Sequence, residues 1–396
     1  MDNCVIPQGY KATALGIIPQ EWEAMRLSDV CTLINGRAYK QNELLSKGKY
    51  KILRVGNFFT NDSWYFSDME LDPNKYAYKG DLLYAWSASF GPQFWTGDKV
   101  IYHYHIWKIC NLRGINQQYL YFFLDYDASL LQRDTQGGTM HHITKENMEK
   151  RFIPIPPLAE QRKIAEVLGV WDEAIEKQAR LIEKLALRKR ALMQRLLSAK
   201  LRLPGFSEPW KTHKLQELFT ERNETNRTDL PLLSITGDRG VILQTESEKR
   251  DTSNDDKSKY KRIAKGDIGY NTMRMWQGRS ALSGLEGIVS PAYTIVVPNT
   301  DVNGYYMSVL FKQPRLIYDF WTHSQGLVGD TLNCKYRDFG QVHICCPPLA
   351  EQKAITEVLT AADREIELAK EKLERLRRQK RGLMQQLLTG KKRVKY

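Results

Sequence analysis

Short loops carry the side chains of this 396-residue chain that are best suited to specific hydrogen bonding. Arginine suits the edge of guanine, asparagine and glutamine suit the edge of adenine, and glycine allows a close approach of the backbone. The candidates in the first half are Arg37, Tyr39, Lys40, Arg54, Asn57, Trp86, Ser87, His141 and His142. Those in the second half are Arg239, Asn271, Arg274, Trp276, Gln277 and Arg279. A packing or surface role competes at each position, so only the clusters favour contact with DNA.

The adjacent His141 and His142 raise the question of a metal site. Neighbouring side chains point apart in regular structure, and no cysteine or carboxylate at ligand spacing supports the pair. The cysteines form no C-x-x-C pair, which argues against a zinc ribbon or a thioredoxin-like site. The sequence therefore predicts no metal in this chain.

Catalytic motifs are missing from the sequence. There is no phosphate-binding G-x-x-x-x-G-K-[ST], no dinucleotide-binding glycine fingerprint and no G-x-S-x-G elbow. The Pro-Pro-aromatic tetrapeptide expected of an amino-methyltransferase is also absent. A nuclease centre stays open, because its acidic motif is loose. These absences favour a binding and positioning protein over an enzyme.

A long internal repeat positions these loops. PPLAEQRKIAEVL (156–168) returns as PPLAEQKAITEVL (347–359), and the likeness continues to KRALMQRLLS (189–198) and KRGLMQQLLT (380–389). Fainter matches precede it, with Trp22 corresponding to Trp210 and YKGDLLY (78–84) to AKGDIGY (264–270). Because the matched blocks keep the same order, the chain is predicted to be two half-copies in tandem.

Each repeated segment predicts a helix of about 40 residues, roughly 60 Å long. Residues 159–197 and 350–388 contain no proline and one glycine each. The Pro-Pro pairs at 156–157 and 347–348 mark their starts, because proline cannot continue a helix backwards. Apolar residues recur at steps of four and three, as in a coiled coil. We expect the two helices to pair, and a pseudo-two-fold relation would make them antiparallel.

The predicted seam residues follow this spacing. In the first helix they are Ile164, Leu168, Trp171, Ile175, Gln178, Ile182, Leu185, Lys189, Leu192 and Leu196. In the second they are Ile355, Leu359, Ala362, Ile366, Ala369, Leu373, Leu376, Lys380, Leu383 and Leu387. The two lysines occupy the same seam position. They either fix the register or extend to solvent at the seam edge.

The remaining segments contain short β-like runs, turns and short helices, which favours an α+β fold. The fold class predicted is two globular domains separated by two long helices that form an antiparallel coiled coil. The predicted segments are 1–155, a globular domain with a leader; 156–200, the first long helix; 201–346, the second globular domain; and 347–396, the second long helix with a basic tail.

The charge and composition narrow the class of partner. The chain carries a net charge of +13, with 42% hydrophobic residues, which fits a folded protein that meets a polyanion. Solubility alone is the competing explanation. Residues 159–200 contain ten Lys and Arg against six Asp and Glu, and residues 350–396 contain thirteen against seven. Without a signal peptide or an apolar membrane span, and with scattered cysteines, a cytoplasmic location is expected.

The doubled PPLAEQ helix, each time after a variable domain, resembles the specificity subunit of type I restriction-modification systems. The leader YKATALGIIPQEW and its counterpart LRLPGFSEPW also look like this family. The resemblance implies that each recognition domain reads one half of a split, asymmetric site in double-stranded DNA. It also implies that the coiled coil sets the distance between the half-sites. The bases read and the spacer length do not follow from it.

The same resemblance implies partners and cofactors. Two modification subunits would methylate adenine N6 with S-adenosylmethionine, and restriction subunits would use ATP and magnesium. The present chain would be non-catalytic and would hold no cofactor. Glu160, Gln161, Glu351 and Gln352, in the repeated phrase, are expected either to dock a partner or to cap their helices. Two other classes remain: an architectural coiled-coil DNA-binding protein, and an unrecognised nuclease.

Overall fold

A computed structural model describes residues 6–59, 62–87, 89–134, 143–237, 239–247, 255–326 and 331–396. The candidates His141 and His142 lie outside the described residues. The chain divides into two compact units. Unit 1 is Met1–Arg180 with Lys370–Tyr396, and unit 2 is Leu181–Ala369. Among the described helices, none combines the length and apolar character needed to cross a bilayer.

Unit 1 combines short strands with a few helices. Its strands are β1 (Tyr10–Thr13), β2 (Gly16–Pro19), β3 (Glu23–Arg26), β4 (Thr32–Asn35), β5 (Tyr50–Leu53), β6 (Tyr65–Ser67), β7 (Tyr76–Ala77), β8 (Leu82–Ser87), β9 (Ser89–Phe94), β10 (Val100–Tyr102), β11 (Ile106–Cys110) and β12 (Phe152–Ile155). Its helices are α1 (Leu27–Val30), α2 (Val55–Phe59), α3 (Gln117–Asp134) and α4 (Lys145–Glu149). The long helix α5 (Leu158–Leu196) begins in this unit.

Two four-stranded sheets organise unit 1, in the orders β6-β5-β10-β7 and β4-β11-β8-β9. Successive side chains of a strand point to opposite sides, and both sides of strand β8 are buried. Leu82 and Tyr84 enter one hydrophobic cluster, while Leu83 and Ala85 enter another. This double burial explains the nearly continuous apolar run that the sequence shows there.

Unit 2 contains the remaining elements. Its strands are β13 (Lys211–Lys214), β14 (Phe219–Glu221), β15 (Leu233–Ile235), β16 (Val241–Leu243), β17 (Lys261–Ile263), β18 (Ile268–Asn271), β19 (Ser280–Leu282), β20 (Gly287–Val289), β21 (Tyr293–Pro298) and β22 (His343–Cys346). Its helices are α6 (Leu215–Leu218), α7 (Gly304–Leu310), α8 (Pro314–His323) and α9 (Tyr336–Gln341), and the long helix α10 (Leu349–Leu387) begins here.

Unit 2 repeats the strand plan of unit 1. The sheet β14-β21-β18-β19 has the same order and the same antiparallel pairings as β4-β11-β8-β9. The pairs β15-β16 and β17-β20 are joined by a parallel bridge between Leu232 and Ile288. They correspond to β5-β6 and β7-β10, which the parallel pair β5-β10 joins. The duplication expected from sequence therefore extends into the variable regions.

The long helices α5 and α10 contain 39 residues each, and both start directly after their Pro-Pro pair, as predicted. In unit 1, Ile164 and Leu168 share a core with Met384 and Leu387. In unit 2, Leu185 clusters with Ile366 and Ala369. Early residues of one helix meet late residues of the other, so the pairing is antiparallel in both units. The α+β fold with an antiparallel helix pair is confirmed.

The seam positions predicted from the heptad spacing are all buried or half-buried. Each seam lysine pairs with an aspartate of the other helix: Lys189 with Asp363 in unit 2, and Lys380 with Asp172 in unit 1, at 2.6 Å. Only 10% of the Lys380 side chain is exposed. The expectation that these lysines merely extend to solvent is therefore wrong for Lys380, because its ammonium is held inside the seam.

Candidate nucleic-acid interface

The start of each long helix is fixed by a buried glutamate. In unit 1, Glu160 accepts hydrogen bonds from Trp22 Nε1 at 2.9 Å and from Arg393 Nε and Nη2 at 2.6 and 2.8 Å. In unit 2, Glu351 accepts from Trp210 Nε1 at 3.2 Å, and Arg202 Nε and Nη2 donate to it at 2.6 and 2.8 Å. We call each triplet a Trp–Glu–Arg clamp. In both clamps the arginine follows the C-terminal end of the partner helix.

The glutamine beside each glutamate is also occupied. The side-chain oxygen of Gln161 accepts from the Asn116 backbone N–H at 2.7 Å, and its amide donates to the Pro156 carbonyl at 2.8 Å. Gln352 makes the equivalent bonds to Asn303 and Pro347, both at 2.9 Å. Each glutamine thereby ties its helix to the loop that precedes α3 or α7.

The expectation that these four side chains dock a partner is contradicted by their placement. Glu160, Gln161, Glu351 and Gln352 are at most 3% exposed, so they offer no surface to another protein. They do not cap their own helices either, because the donors that they bind belong to other segments. Their physical role is to hold each long helix against its globular part through buried hydrogen bonds. The sequence also repeats an Asn-x-x-Tyr block, at 116–119 and 303–306, and this repeat is a signal from which the junction could have been found.

Several unit 1 candidates are occupied within the protein. Arg37 forms a bidentate ion pair with Glu43 at 2.7 and 2.9 Å, and its guanidinium lies over the Tyr39 ring. Hydrogen bonds from Arg37 lower the pKa of Glu43 to about 2. The Tyr39 hydroxyl is buried, and Ser87 is buried as well. These contacts give the three residues structural roles within unit 1, and their contact with bases stays a prediction, whereas Lys40 is exposed.

Arg54 and Asn57 lie where β5 ends. The Asn57 amide donates to the Ser63 carbonyl at 2.7 Å, and its oxygen accepts from the Arg54 backbone N–H at 3.4 Å. Asn57 therefore shapes this turn rather than presenting a free amide. The Arg54 side chain is exposed and lies 5.1 Å from the centre of the Tyr65 ring. Arg54 remains available to a ligand.

Aromatic side chains cluster around Trp86 in unit 1. Trp86 stacks on Trp107 with ring centres 5.6 Å apart, and its Nε1 donates to the Tyr104 carbonyl at 2.9 Å. The rings of His103 and His105 are within 4.8 Å of each other, and the centres of the Tyr104 and His105 rings are 3.8 Å apart. The His-Tyr-His run at 103–105 was not among the candidates identified from sequence. We define the aromatic edge as Trp86, His103, Tyr104 and His105.

His103 is neutral near pH 7. Burial, reinforced by His105 and Arg54, lowers the pKa of its imidazole from 6.5 to about 4. A neutral imidazole carries one donor and one acceptor nitrogen, so it reads hydrogen-bonding patterns without attracting phosphate. The aromatic edge therefore offers ring faces and neutral polar atoms, with the charge of Arg54 alongside.

In unit 2 the candidates surround a cavity of about 380 Å³. Its walls are Ile235, Thr236, Asn271, Arg274, Arg279 and Tyr293, which we call the arginine pocket. Of the other candidates, Trp276 donates to the Met273 carbonyl at 3.0 Å and Gln277 is exposed. Arg239 donates to the Glu246 carbonyl at 3.1 Å. Among the described residues, no group of three or more His, Cys, Asp or Glu side chains is placed to hold a metal.

The arginine pocket has a closed counterpart in unit 1. The shared Lys-Gly-Asp block makes Asn271 the equivalent of Ala85, and strand pairing makes Tyr293 the equivalent of Ile106. In unit 1, Ala85 and Ile106 pack with Leu53 and other apolar residues in one hydrophobic cluster. The same location is therefore an apolar core in one unit and a polar cavity in the other.

Comparison with known proteins agrees with this duplicated architecture. Residues 19–186 match the type I restriction modification DNA specificity domain. A putative type I restriction enzyme MjaX specificity subunit of Methanocaldococcus jannaschii is 27% identical, covering 98% of this chain and 97% of its own length. The MjaVIII specificity subunit of the same organism is 26% identical, covering 96% and 94%. The chain is therefore similar to type I restriction enzyme specificity subunits along nearly its whole length.

Solved structures share the fold. A type I restriction-modification S subunit from M. genitalium superposes with a TM-score of 0.52 at 15% identity, covering 93% of this chain and 96% of its own. A second structure, from work on complex assembly and conformational transition of the type I restriction-modification system, gives a TM-score of 0.60 at 17% identity, covering 94% and 99%. At these identities the likeness concerns the fold.

Proposed function

We propose that this chain is the DNA-specificity subunit of a type I restriction-modification complex, with unit 1 and unit 2 each reading one half of a split site in double-stranded DNA. One observation carries this proposal. The two units share the same strand order and pairing, but the residues beside β8 in unit 1 and beside β18 in unit 2 differ in chemistry. Duplication accounts for the common plan. The aromatic edge of unit 1 and the arginine pocket of unit 2 account for two different half-sites, and hence for an asymmetric site.

The long helices suit a role in spacing and assembly. We infer that the two helices set the distance between the half-sites, while each Trp–Glu–Arg clamp holds a helix against the globular part of its own unit. We infer that two modification subunits dock on surfaces other than the four buried junction residues. They would methylate adenine N6 with S-adenosylmethionine, flipping the base out of the duplex. Restriction subunits would supply ATP- and magnesium-dependent cleavage in the cytoplasm.

A non-catalytic role in this complex accounts for the absence of catalytic motifs from the sequence. An architectural DNA-binding protein would need no divergence between its two units, because sequence-independent binding rests on phosphate contacts. A nuclease would need an acidic metal site. Neither alternative explains two unlike surfaces on one repeated plan.

Single-molecule methylation mapping tests the proposal. Cells would produce this chain with the modification subunit encoded beside it, and a matched culture would produce the modification subunit alone. We expect N6-methyladenine on both strands of a split, asymmetric motif only when both proteins are present. Exchanging residues 206–346 for those of another family member should change one half of the motif. A soluble complex that leaves DNA unmethylated would overturn the proposal.

A further inference from the structure

The arginine pocket contains two cations without a described counter-charge. Neither Arg274 nor Arg279 makes a side-chain hydrogen bond or ion pair with a described residue, and both side chains are exposed. Three other arginines of unit 2 are paired with carboxylates: Arg222 with Asp267, Arg227 with Asp229 and Arg262 with Glu224. The pocket arginines differ from these three, and their exposed guanidinium groups suit a ligand rich in acceptor atoms.

The backbone holds both arginines on one closed loop. The Asn271 N–H donates to the Arg279 carbonyl and the Arg274 N–H to the Asn271 carbonyl, both at 3.0 Å. Met275, between the two arginines, is fully buried and anchors the loop in the core. The guanidinium of Arg279 also lies against a glycine. A Cβ added at Gly237 would lie 2.8 Å from Arg279 Nη1, so a side chain there would make the flexible guanidinium shift.

The pocket offers donors and has few free acceptors. Both guanidinium groups donate only. The Asn271 side-chain oxygen already accepts from the Met273 N–H at 3.0 Å, which uses one of its two lone pairs. The Thr236 hydroxyl donates to the Gly240 carbonyl at 2.9 Å. Guanine presents two acceptors side by side in the major groove, O6 and N7, and fits this donor set.

We propose that the arginine pocket reads one guanine in the half-site of unit 2, with Arg279 donating to O6 and N7 and Arg274 adding a second positive charge to the pocket lining. This inference rests on the proposed function and specifies its chemistry. A DNA phosphate shares the acceptor chemistry. Among the described residues of unit 1, Ala85 and Ile106 fill the equivalent location with apolar packing, so we expect the effect in one half of the site.

The first test maps methylation in cells that produce the modification subunit with wild-type chain, Arg279→Gln, Gly237→Ala or Arg227→Gln. We expect Arg279→Gln to make one guanine position of a single half-site degenerate and to leave the other half unchanged. Gly237→Ala should weaken methylation at that same position, because the added methyl displaces the guanidinium. Arg227→Gln is the matched control, since Asp229 already occupies that guanidinium, and it should preserve the motif.

The second test separates a base from a phosphate. A duplex carrying the mapped motif would contain 7-deazaguanine at the degenerate position, which removes the N7 acceptor. We expect the wild-type complex to bind this duplex about tenfold more weakly, a typical loss for one base contact, and the Arg279→Gln complex to show no further loss. The salt dependence of binding should be the same for both proteins, because no phosphate contact changes.

Three results would overturn the inference while leaving the proposed function intact. In each, wild-type chain directs methylation of a split motif. The first is an unchanged motif with Arg279→Gln. The second is a uniform fall in methylation with a salt slope smaller by about one, which identifies a phosphate contact. The third is degeneracy in the half-site read by unit 1. Failure of wild-type chain to direct split-site methylation would instead refute the proposed function itself.

Discussion

Unit 1 and unit 2 share their strand order and their helix-root contacts, yet they differ where β8 and β18 end. The residues that repeat are those that close the structure: tryptophan, glutamate and arginine in the clamp, and glutamine with asparagine at the junction. The residues that diverge lie at the equivalent location, which is a buried apolar cluster in unit 1 and a polar cavity in unit 2. The two units have thus kept the same strand order and helix-root contacts, while the residues beside β8 and β18 have diverged.

The largest expected effect tests whether the two clamps are equivalent. Glu160→Ala leaves the Trp22 indole and the Arg393 guanidinium without their buried acceptor. Breaking a buried pair from one side costs about 3–5 kcal/mol, and because Arg393 is 32% exposed we expect about 3 kcal/mol. Glu351→Ala should cost unit 2 a similar amount. Hydrogen exchange resolved by unit would measure each loss separately.

The control for the clamps is Glu166→Ala, an exposed glutamate on the same helix, for which we expect a change below about 0.5 kcal/mol. Each clamp variant should lower protection in its own unit first. Equal loss of protection in both units after a single substitution would contradict the view of two separately closed units.

A smaller effect should distinguish the units by pH. The pKa of His103 is about 4 in the folded protein and 6.5 ordinarily, so the unfolded chain binds more protons between these values. Stability that is present above pH 6.5 is therefore lost as the pH falls towards 4. Allowing for solvent screening, we expect unit 1 to lose about 1–2 kcal/mol. Urea denaturation at pH 7.5 and 4.5 would measure it.

His103→Gln should remove this part of the pH dependence. His213→Gln is the control, because His213 belongs to unit 2, where it lies half-exposed beside Glu217, and its substitution leaves the surroundings of His103 unchanged. A wild-type slope that persists unchanged in His103→Gln would show that other groups carry it.

The smallest effect concerns the seam lysines. Lys380 is held by Asp172 and lies 5.1 Å from the centre of the Phe122 ring, whereas Lys189 is more exposed and pairs with Asp363. We expect Lys380→Ala to cost about 1 kcal/mol and Lys189→Ala about half as much. Thermal unfolding of the two variants would rank them. The reverse order would mean that burial does not set the strength of these pairs.

Sequence patterns predicted the elements that depend on local rules. Helices α5 and α10 followed from proline boundaries and apolar spacing. The shared Lys-Gly-Asp block located β8 and β18. Arg274 and Arg279 were identified from composition, and they do line one pocket. Arg37 matched the same composition rule, but Glu43 occupies its guanidinium. A residue type suggests a contact, and the neighbours in space decide whether its polar atoms are free.

The amino-acid sequence by itself determined the duplication, the two long helices, their seam and the loops with DNA-binding chemistry, because these features depend on residue spacing along the chain. Tertiary structure alone decided which side chains remain available. Arg393 donates a hydrogen bond to the Glu160 carboxylate from 233 positions away. The aromatic edge forms because the chain after β10 places residues 103–105 beside Trp86. Such contacts depend on how distant segments pack, and spacing along one strand or helix carries no record of them.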